Sequence, residues 1–315
     1  LLAVTLFIFV MHIIFDNPRW QLTTLYLAVL ILVFMVYTKY FINISFKNYI
    51  RTTILGVLIV FVFVSIVAIV VFPVYEMNLP SGEYSVGTES FIIEDETRLE
   101  LYSEESGNVR KIKIQFWYPA ESTDGYEKAP WLEDGKVVSR ALARDFGLPS
   151  FVLDHTTDIM SNSYFEAPIN DDLSNFPVIV ISHGWRGFRN LHTDFAEDLA
   201  SLGYIVIGID HSYGSVATVF SDDDIVYLNL DALPDRETTD EFLDYANQLV
   251  YTYSSDITTT IDYLEEINME SNASRFSGKL DLSNIGLLGH STGGGADVAV
   301  ALNDSNLEEL KQIII

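Results

Sequence analysis

The sequence predicts an α/β domain with a mostly parallel central sheet, preceded by an all-α segment that spans a membrane. Charge supports this division, because residues 1–79 hold only six charged side chains, whereas the whole chain of 315 residues has a formal net charge of −26. Later in the chain, short runs that are apolar on both faces alternate with helical stretches, which is typical of parallel strands covered by helices. We therefore expect membrane helices over residues 1–78 and the α/β domain over residues 79–315.

The membrane segment contains three apolar runs, at residues 1–15, 22–41 and 54–74. A helix of about 20 apolar residues crosses the hydrocarbon core of a bilayer. Because the chain opens with Leu1, we expect the first run to be the end of a longer span. Three successive runs without a small-residue cleavage site after the first predict retained helices rather than a signal peptide.

The loop between the second and third runs predicts the orientation. It carries Lys39, Lys47 and Arg51 without an acidic residue, and basic loops of this kind stay in the cytoplasm. The α/β domain is then expected on the external face of a multi-pass cell-membrane protein. No run has Asp, Glu, Lys or Arg in its middle, which argues against a transporter or channel. We interpret His12 as a helix-interface residue.

The composition excludes several classes of function. Residues 1–79 carry a net charge of +2, which leaves −28 on residues 80–315 and excludes a nucleic-acid binder that works through a basic surface. The chain has no cysteine, so disulfides, thiolate catalysis and cysteine-ligated metals are excluded. The acidic run 222–224 lacks the spacing of a calcium loop.

Within the α/β domain, alternating residues predict an antiparallel start, and later apolar runs predict a parallel sheet. The predicted strands are 87–93, 109–118, 177–182, 204–209, 285–288 and 313–315. The predicted helices are 136–146, 193–202 and 238–269, the last with an apolar stripe that we interpret as core packing. The irregular region 121–172 is interpreted as an insertion that borders a pocket.

The most informative motif is a Gly-x-Ser-x-Gly run centred on Ser291. It follows an apolar strand, and a helix is expected to start near Thr292, which is the strand–turn–helix context of a nucleophile elbow. The flanking Gly289 and Gly293 permit a turn that a Cβ would obstruct. Ser291 is therefore the candidate catalytic nucleophile.

A serine nucleophile needs hydrogen-bond donors for the oxyanion that forms on attack. One donor is expected to be the backbone amide of Thr292, the residue after the nucleophile. The second comes from an earlier loop, and the run His183-Gly184-Trp185 follows a predicted strand, so the backbone amide of Trp185 is the candidate. We interpret His183 as a residue that shapes this loop by hydrogen bonding, not as the general base.

Several runs together resemble the plasma-type platelet-activating factor acetylhydrolases and their bacterial relatives, within the α/β-hydrolases. They are His183-Gly-Trp-Arg-Gly-Phe-Arg189, Asp198-Leu-Ala-Ser-Leu-Gly-Tyr-Ile-Val206, Asp210-His211, Gly289-His-Ser-Thr-Gly-Gly294, Leu79-Pro-Ser-Gly82, Val86-Gly-Thr88 and Gln115-Phe-Trp-Tyr-Pro119. The resemblance covers about residues 79–315 and implies an α/β-hydrolase fold. It also implies a serine esterase that acts on short or oxidised acyl chains of phospholipids without a metal or organic cofactor. Bacterial relatives include broader esterases and polyester hydrolases, so the ester substrate stays open.

The chain departs from the α/β-hydrolase pattern in one respect. There the acid and the histidine of the triad follow the serine, whereas all six histidines here precede Ser291. We therefore expect a C-terminally truncated domain whose triad acid and histidine are not in this chain, and which alone is inactive. Asp297 lies about 9 Å further along the same helix and is expected to point away from the elbow. His290 is interpreted as an elbow-packing residue.

Four further residues carry minor expectations. Arg186 and Arg189 could meet a lipid phosphate, but pairing with Asp194 or Glu197 on the next helix is favoured. Trp131 and Tyr213 are candidates for the lining of an acyl pocket.

Two other functions remain open at this stage. One is a catalytically inactive, membrane-anchored binding module with the same fold. The other is a membrane-signalling protein whose external domain is a sensor. An acid and a histidine encoded beyond Ile315 would favour the enzyme over the binding module.

Overall fold

The computed structural model describes residues 2–16, 18–171, 175–269, 271 and 273–303. The chain begins with three apolar helices, α1 (Leu2–Phe15), α2 (Thr23–Phe41) and α3 (Asn48–Val71). A short 3-10 turn precedes α2, and together they form an apolar helix over Trp20–Phe41. This helix and α3 are long and apolar enough to cross a membrane by length and composition, whereas the apolar part of α1 is shorter.

Polar contacts join the three helices in pairs. The hydroxyls of Thr24 and Ser65 are 2.7 Å apart, and the Leu25 amide donates to Ser65 at 3.0 Å, which joins α2 to α3. His12 on α1 lies 2.8 Å from the hydroxyl of Tyr26 on α2. Small and polar residues commonly hold apolar helices together in this way. The position of His12 agrees with its interpretation as a helix-interface residue.

In the described part of the chain, a sheet of seven strands forms the centre of the α/β domain. Its strands are β1 (Ser85–Leu99), β2 (Val109–Ala120), β3 (Lys128–Pro130), β4 (Met160–Phe165), β5 (Phe176–Ser182), β6 (Ile205–Asp210) and β9 (Leu280–Gly289), in the spatial order β3-β4-β1-β2-β6-β5-β9. The pairs β5–β6, β5–β9 and β1–β4 are parallel, and only β2 and β3 run the other way. Two short strands, β7 (Ala217–Ser221) and β8 (Asp224–Tyr227), form a separate hairpin.

The strands form where apolar residues can be buried on both faces. Every residue of β6 is buried, and β5 is buried at five of its seven positions. The antiparallel start and the parallel strands β5, β6 and β9 were predicted from the sequence, although β1 and β9 are longer than predicted. The remaining predicted strand, 313–315, lies outside the described residues.

Among the described residues, four α-helices pack on the sheet or on the insertion. They are α4 (Gly135–Asp145), α5 (Thr193–Ser201), α6 (Phe242–Asn268) and α7 (Thr292–Asn303). The predicted stripe of α6 enters the main core through Leu249, Tyr253, Ile257, Ile261, Leu264 and Ile267. Its interpretation as core packing is confirmed, although Tyr253 also has a polar environment that is described below.

The insertion between β2 and β5 contacts the membrane segment. The indole nitrogen of Trp20 donates to the carbonyl of Val152 at 3.1 Å, and the Trp20 ring packs edge-on against Phe151 and Phe72. Arg19 lies 3.3 Å from Asp158. A cavity of about 520 Å³ opens between these two parts of the chain.

Candidate active site

Ser291 stands on a strained turn between β9 and α7. Its φ is +55°, in the left-handed region that costs a non-glycine residue of order 1–3 kcal/mol. Strand β9 ends at Gly289 and α7 begins at Thr292, so the turn is as tight as the motif predicts. The side chain of Ser291 is exposed, whereas most of the surrounding sheet is buried. The turn therefore presents the hydroxyl to solvent.

The elbow requires glycine because backbone from another strand crosses it. A Cβ added at Gly293 would lie 2.1 Å from the carbonyl oxygen of Ser182, at the end of β5. A Cβ added at Gly184 would lie 3.1 Å from Cβ of Ser291. The loop after β5 thus lies directly against the elbow.

This loop, residues 183–187, is the predicted source of the second oxyanion donor. Within it, the Gly187 amide donates to the carbonyl of Gly184 at 2.9 Å, and Arg186 has a φ of +66°. Among the described residues, none accepts a hydrogen bond from the backbone amides of Trp185 and Thr292. Both predicted donors therefore keep a free N–H on loops that meet at Ser291.

The structure places the histidines as follows. His183 is buried, with its ring nitrogens 2.7 Å from the carbonyl of Gly184 and 2.8 Å from the hydroxyl of Ser215, in agreement with a loop-shaping role. His290 is exposed, and its ring centroid lies 6.3 Å from that of His192. Within the part of the chain that the structure describes, no residue hydrogen-bonds the hydroxyl of Ser291. A general base is not assembled there.

The predicted partners of the two arginines are wrong. Arg186 pairs with Asp145 of α4 at 3.2 Å. Arg189 is buried, and its guanidinium lies 2.5 Å from Asp210, 2.6 Å from Glu133 and 2.7 Å from Asp134. Its side chain is only 1% exposed, so three carboxylates compensate one buried cation.

Glu197 is unavailable to Arg189 because α5 turns this residue toward β4. Its carboxylate accepts hydrogen bonds from the backbone amide of Asn162 at 2.6 Å and from the hydroxyl of Ser163 at 2.5 Å. Burial raises the pKa of Glu197, while these donors act to lower it. The carboxylates that do pair with the two arginines lie on α4, just before α4 and at the end of β6, far from the next helix in sequence.

The expectation for Asp297 is also wrong, because its carboxylate lies beside the elbow. A Cβ added at Gly289 would be 2.4 Å from Oδ2 of Asp297. The residue is 1% exposed, and neither carboxylate oxygen has a hydrogen-bond partner among the described residues. Burial raises the pKa of Asp297 to about 7. Side chains of a helix lean toward its N-terminus, which brings this carboxylate back to the turn.

We expect Asp297→Asn to stabilise the protein at pH 8 by up to about 4 kcal/mol. A carboxyl whose pKa is raised by folding costs no stability below its unfolded value of about 4. The cost grows as the pH rises from about 4 to about 7 and is constant above. Urea unfolding of the protein and its variant at pH 4 and pH 8 measures this difference.

The exposed Glu265→Gln on α6 is the control for Asp297→Asn and should change stability by less than about 0.5 kcal/mol at both pH values. Equal stability of the wild type and Asp297→Asn at pH 8 would show that Asp297 is ionised and compensated in the folded state.

Sequence reasoning missed a buried polar cluster beneath the loop. We call it the buried network, and it consists of Ser182, His211, Asp256 and Arg110, each no more than 2% exposed. The sequence shows an Asp210-His211 pair at the end of β6 and a lone Asp256 within the apolar stripe of α6. A charged residue at a core-facing position is the feature that could have drawn attention to it.

The expectation that no metal is used stays a prediction. Among the described residues, no group of three or more His, Asp or Glu side chains could hold a metal ion. The acidic run 222–224 contributes a surface pair, in which Asp224 lies 2.6 Å from Lys111. Trp131 donates its indole N–H to the carbonyl of Asn190 at 2.8 Å, and its role in an acyl pocket stays a prediction, as does that of Tyr213.

Comparisons with known proteins agree with this geometry. A family model described as platelet-activating factor acetylhydrolase, isoform II, matches residues 69–314. A platelet-activating factor acetylhydrolase of Canis lupus familiaris is 26% identical over 213 residues, which cover 61% of this chain and 46% of the relative. That of Cavia porcellus is 22% identical over 241 residues, with 71% and 52% covered. The chain spans about half the length of these curated relatives.

Among solved structures, a ferulic acid esterase from Streptomyces cinnamoneus superposes with a TM-score of 0.59 at 24% identity. The match covers 75% of this chain and 60% of the esterase. At this identity the likeness shows the fold alone. With the family match, it confirms the predicted α/β-hydrolase fold.

Proposed function

Because the chain belongs to the platelet-activating factor acetylhydrolase, isoform II, family, we propose that it carries the nucleophile and oxyanion hole of a serine ester hydrolase. The observation that carries the proposal is the exposed Ser291 at φ +55° between β9 and α7. A strained, glycine-flanked turn of this kind is the nucleophile elbow of ester hydrolases. Strain at such a position is retained where it serves function.

In the proposed reaction, the hydroxyl of Ser291 attacks the carbonyl carbon of the ester. The new C–O bond forms as the hydroxyl proton passes to a histidine base, and the carbonyl oxygen becomes an oxyanion. The backbone amides of Trp185 and Thr292 hold this oxyanion. Collapse expels the alcohol, which takes the proton from the histidine, and water then hydrolyses the acyl-enzyme.

The proposal requires an acid and a histidine from outside this chain. The hydroxyl of Ser291 stays protonated without a base and reacts slowly. His211 and His183 are held in buried hydrogen bonds, and His290 is adjacent to the nucleophile on the turn. We therefore propose that the full-length product is active and that residues 1–315 alone are not.

We further propose that residues 1–78 anchor the hydrolase domain, residues 79–315, in a cell membrane. Two helices with the required length and apolarity support this. The basic loop 38–51 favours the cytoplasm, and this supports an external position for the hydrolase domain. The contact of Trp20 with Val152 puts that domain close to the helix ends.

The proposed substrates are short acyl esters of phospholipids or similar amphiphilic esters. The family match and the neighbouring apolar helices both support this class. No metal or organic cofactor takes part in the proposed steps. The acyl-length preference is left to experiment.

We expect the full-length product to hydrolyse p-nitrophenyl acetate and to form a covalent adduct with a fluorophosphonate at Ser291. The phosphonyl group bonds to Oγ and fluoride leaves with the serine proton as HF. Mass spectrometry of the labelled peptide identifies the modified residue, and a truncated protein of residues 1–315 is the comparison.

An adduct on a peptide that contains Ser291 supports the hydrolase. Well-folded full-length protein without hydrolysis and without an adduct would contradict it. The hypothesis of a catalytically inactive, membrane-anchored binding module would then be favoured.

A further inference from the structure

We propose that the buried network, Ser182, His211, Asp256 and Arg110, positions the loop of residues 183–187 and thereby sets the oxyanion hole, and is not a second catalytic centre. The inference rests on the proposed hydrolase function of Ser291. It assigns a positioning role to residues to which the sequence analysis gave no function.

The network has the atom-to-atom connectivity of a serine hydrolase triad. The hydroxyl of Ser182 lies 2.8 Å from Nε2 of His211, and Nδ1 of the same ring lies 2.9 Å from Oδ2 of Asp256. These distances match those of a functional serine–histidine–aspartate set. Geometry alone would therefore make Ser182 a candidate nucleophile.

Burial excludes that role. Ser182, His211 and Asp256 are each 0% exposed. The ring of Tyr253 stacks on that of His211 with centroids 3.7 Å apart. A Cβ added at Gly214 would lie 2.2 Å from the Tyr253 hydroxyl. The backbone of Gly214 therefore packs directly against the hydroxyl end of this tyrosine. An ester carbonyl therefore has no path to Ser182. The network can affect the reaction only through the residues that it positions.

The charges fix the direction of each hydrogen bond. Burial acts to raise the pKa of Asp256, but Arg110 and His211 hold it well below its usual range. The Arg110 guanidinium donates to this carboxylate at 2.6 and 3.0 Å. Burial lowers the pKa of His211, which is therefore neutral at pH 7. Its Nδ1–H donates to Asp256, and Nε2 accepts from the hydroxyl of Ser182.

Ser182 connects the network to the nucleophile. Its carbonyl oxygen accepts the amide of His290 at 3.1 Å, and the same carbonyl lies against Gly293 at the start of α7. Ser182 is also the last residue of β5 before the loop. A shift of Ser182 would therefore move both the loop and the elbow.

His211 connects the network to the other side of the loop. Its carbonyl oxygen accepts the amides of Gly214 at 2.9 Å and Ser215 at 2.7 Å. The hydroxyl of Ser215 lies 2.8 Å from Nε2 of His183, and the carbonyl of Gly214 accepts the amide of Arg186 at 3.0 Å. His183 and Arg186, which lie on either side of Trp185 in the loop, are therefore both hydrogen-bonded to the turn that begins at His211.

The test compares Ser182→Ala and His211→Gln with Ser163→Ala in the full-length protein. Ser163 is the matched control, because it is also 0% exposed on a strand of the same sheet and donates to a buried carboxylate, that of Glu197. Loss of one oxyanion donor costs about 10²- to 10³-fold in kcat, so a misplaced donor should cost about 10- to 100-fold. We expect that loss in kcat for both network variants, with KM within about twofold of the wild type.

The readout specific to the oxyanion hole is inhibition by a trifluoromethyl ketone. Its carbonyl carbon bonds to Oγ of Ser291, the hydroxyl proton passes to the base, and an oxyanion forms as in the reaction. Its Ki should rise in the network variants by the same factor as kcat/KM falls. Competitive inhibition by the product alcohol, which forms no oxyanion, should stay unchanged.

Three results would overturn the inference. They are wild-type kcat in Ser182→Ala with its fold intact by circular dichroism, an equal loss in Ser163→Ala, and a fall in kcat/KM with an unchanged Ki for the ketone. If His211→Gln fails to fold, Ser182→Ala decides alone. A full-length wild type that neither hydrolyses esters nor forms a fluorophosphonate adduct would refute the hydrolase itself, which is a distinct outcome.

Discussion

Replacing Ser291 with alanine in the full-length protein is expected to lower kcat for p-nitrophenyl acetate by about 10⁴-fold or more. The expected loss is this large because the substitution removes the atom proposed to form the acyl-enzyme. The proposed oxyanion donors, the backbone amides of Trp185 and Thr292, remain, so a weak residual rate through direct attack by water is expected. Initial rates, corrected for hydrolysis without enzyme, measure the effect.

The control for Ser291→Ala is Ser283→Ala, on the same strand β9. Ser283 is exposed, and its hydroxyl donates to Asp281 at 2.6 Å. It lies near the start of β9, whereas the elbow follows the end of this strand. It should retain wild-type kcat and fluorophosphonate labelling. Hydrolysis that survives in Ser291→Ala at the wild-type rate would assign the activity to another residue.

Arg110→Met is expected to lower the free energy of unfolding by about 3–5 kcal/mol at pH 7. The substitution leaves Asp256 buried at 0% exposure with its strongest cationic partner removed. Glu100, which lies 2.7 Å from Arg110, also loses this cationic partner. Urea unfolding of the detergent-solubilised protein, followed by tryptophan fluorescence, measures the loss.

The matched control is Arg140→Met, because Arg140 makes the same two-point contact with Asp154 at 2.7 and 2.8 Å but is 44% exposed. An exposed pair contributes about 0–1 kcal/mol, so this variant should be nearly as stable as the wild type. Similar losses in the two variants would contradict the argument from burial.

The effect of Arg110→Met has a definite pH dependence. The pKa of Asp256 is lowered in the folded protein, so its ionisation stabilises the fold above the unfolded pKa of about 4 and that stability is lost at lower pH. Protonated Asp256 needs no cation. The difference between wild type and Arg110→Met should therefore be largest near pH 7 and shrink below about pH 4.

Local pattern predicted most of the fold and the elbow. The run 177–182 corresponds to β5 (Phe176–Ser182), and the helix predicted from Thr292 begins there. The family resemblance, read from motifs such as Gly289-His-Ser-Thr-Gly-Gly294, is confirmed by the match over residues 69–314. These features succeed because hydrophobic period and glycine position act over a few residues.

Long-range polar pairing could not be predicted in the same way. Arg110 and Asp256 are 146 positions apart, and Arg189 finds Glu133 and Asp134 more than 50 positions earlier. Sequence separation gives no information about such partners until the strand order is known. For Asp297, the distance along the helix axis is not sufficient, because the side chain leans toward the N-terminus of α7. This direction brings the carboxylate to the turn at Gly289.

The segment that joins α3 to the sheet has a mechanical consequence. It is bound along its length, since the amides of Ser81 and Gly82 donate to Asp198 at 2.6 Å and Ser201 at 2.9 Å, and the carbonyl of Asn78 accepts from Asn162 at 2.8 Å. Such a segment cannot act as a swivel, unlike a glycine- and serine-rich linker. With α3 across a bilayer, the α/β domain would reorient only together with the helices. Ser291 would then stay at a nearly constant distance from the membrane surface. Its encounters with lipid would depend on lateral diffusion in the plane of the membrane.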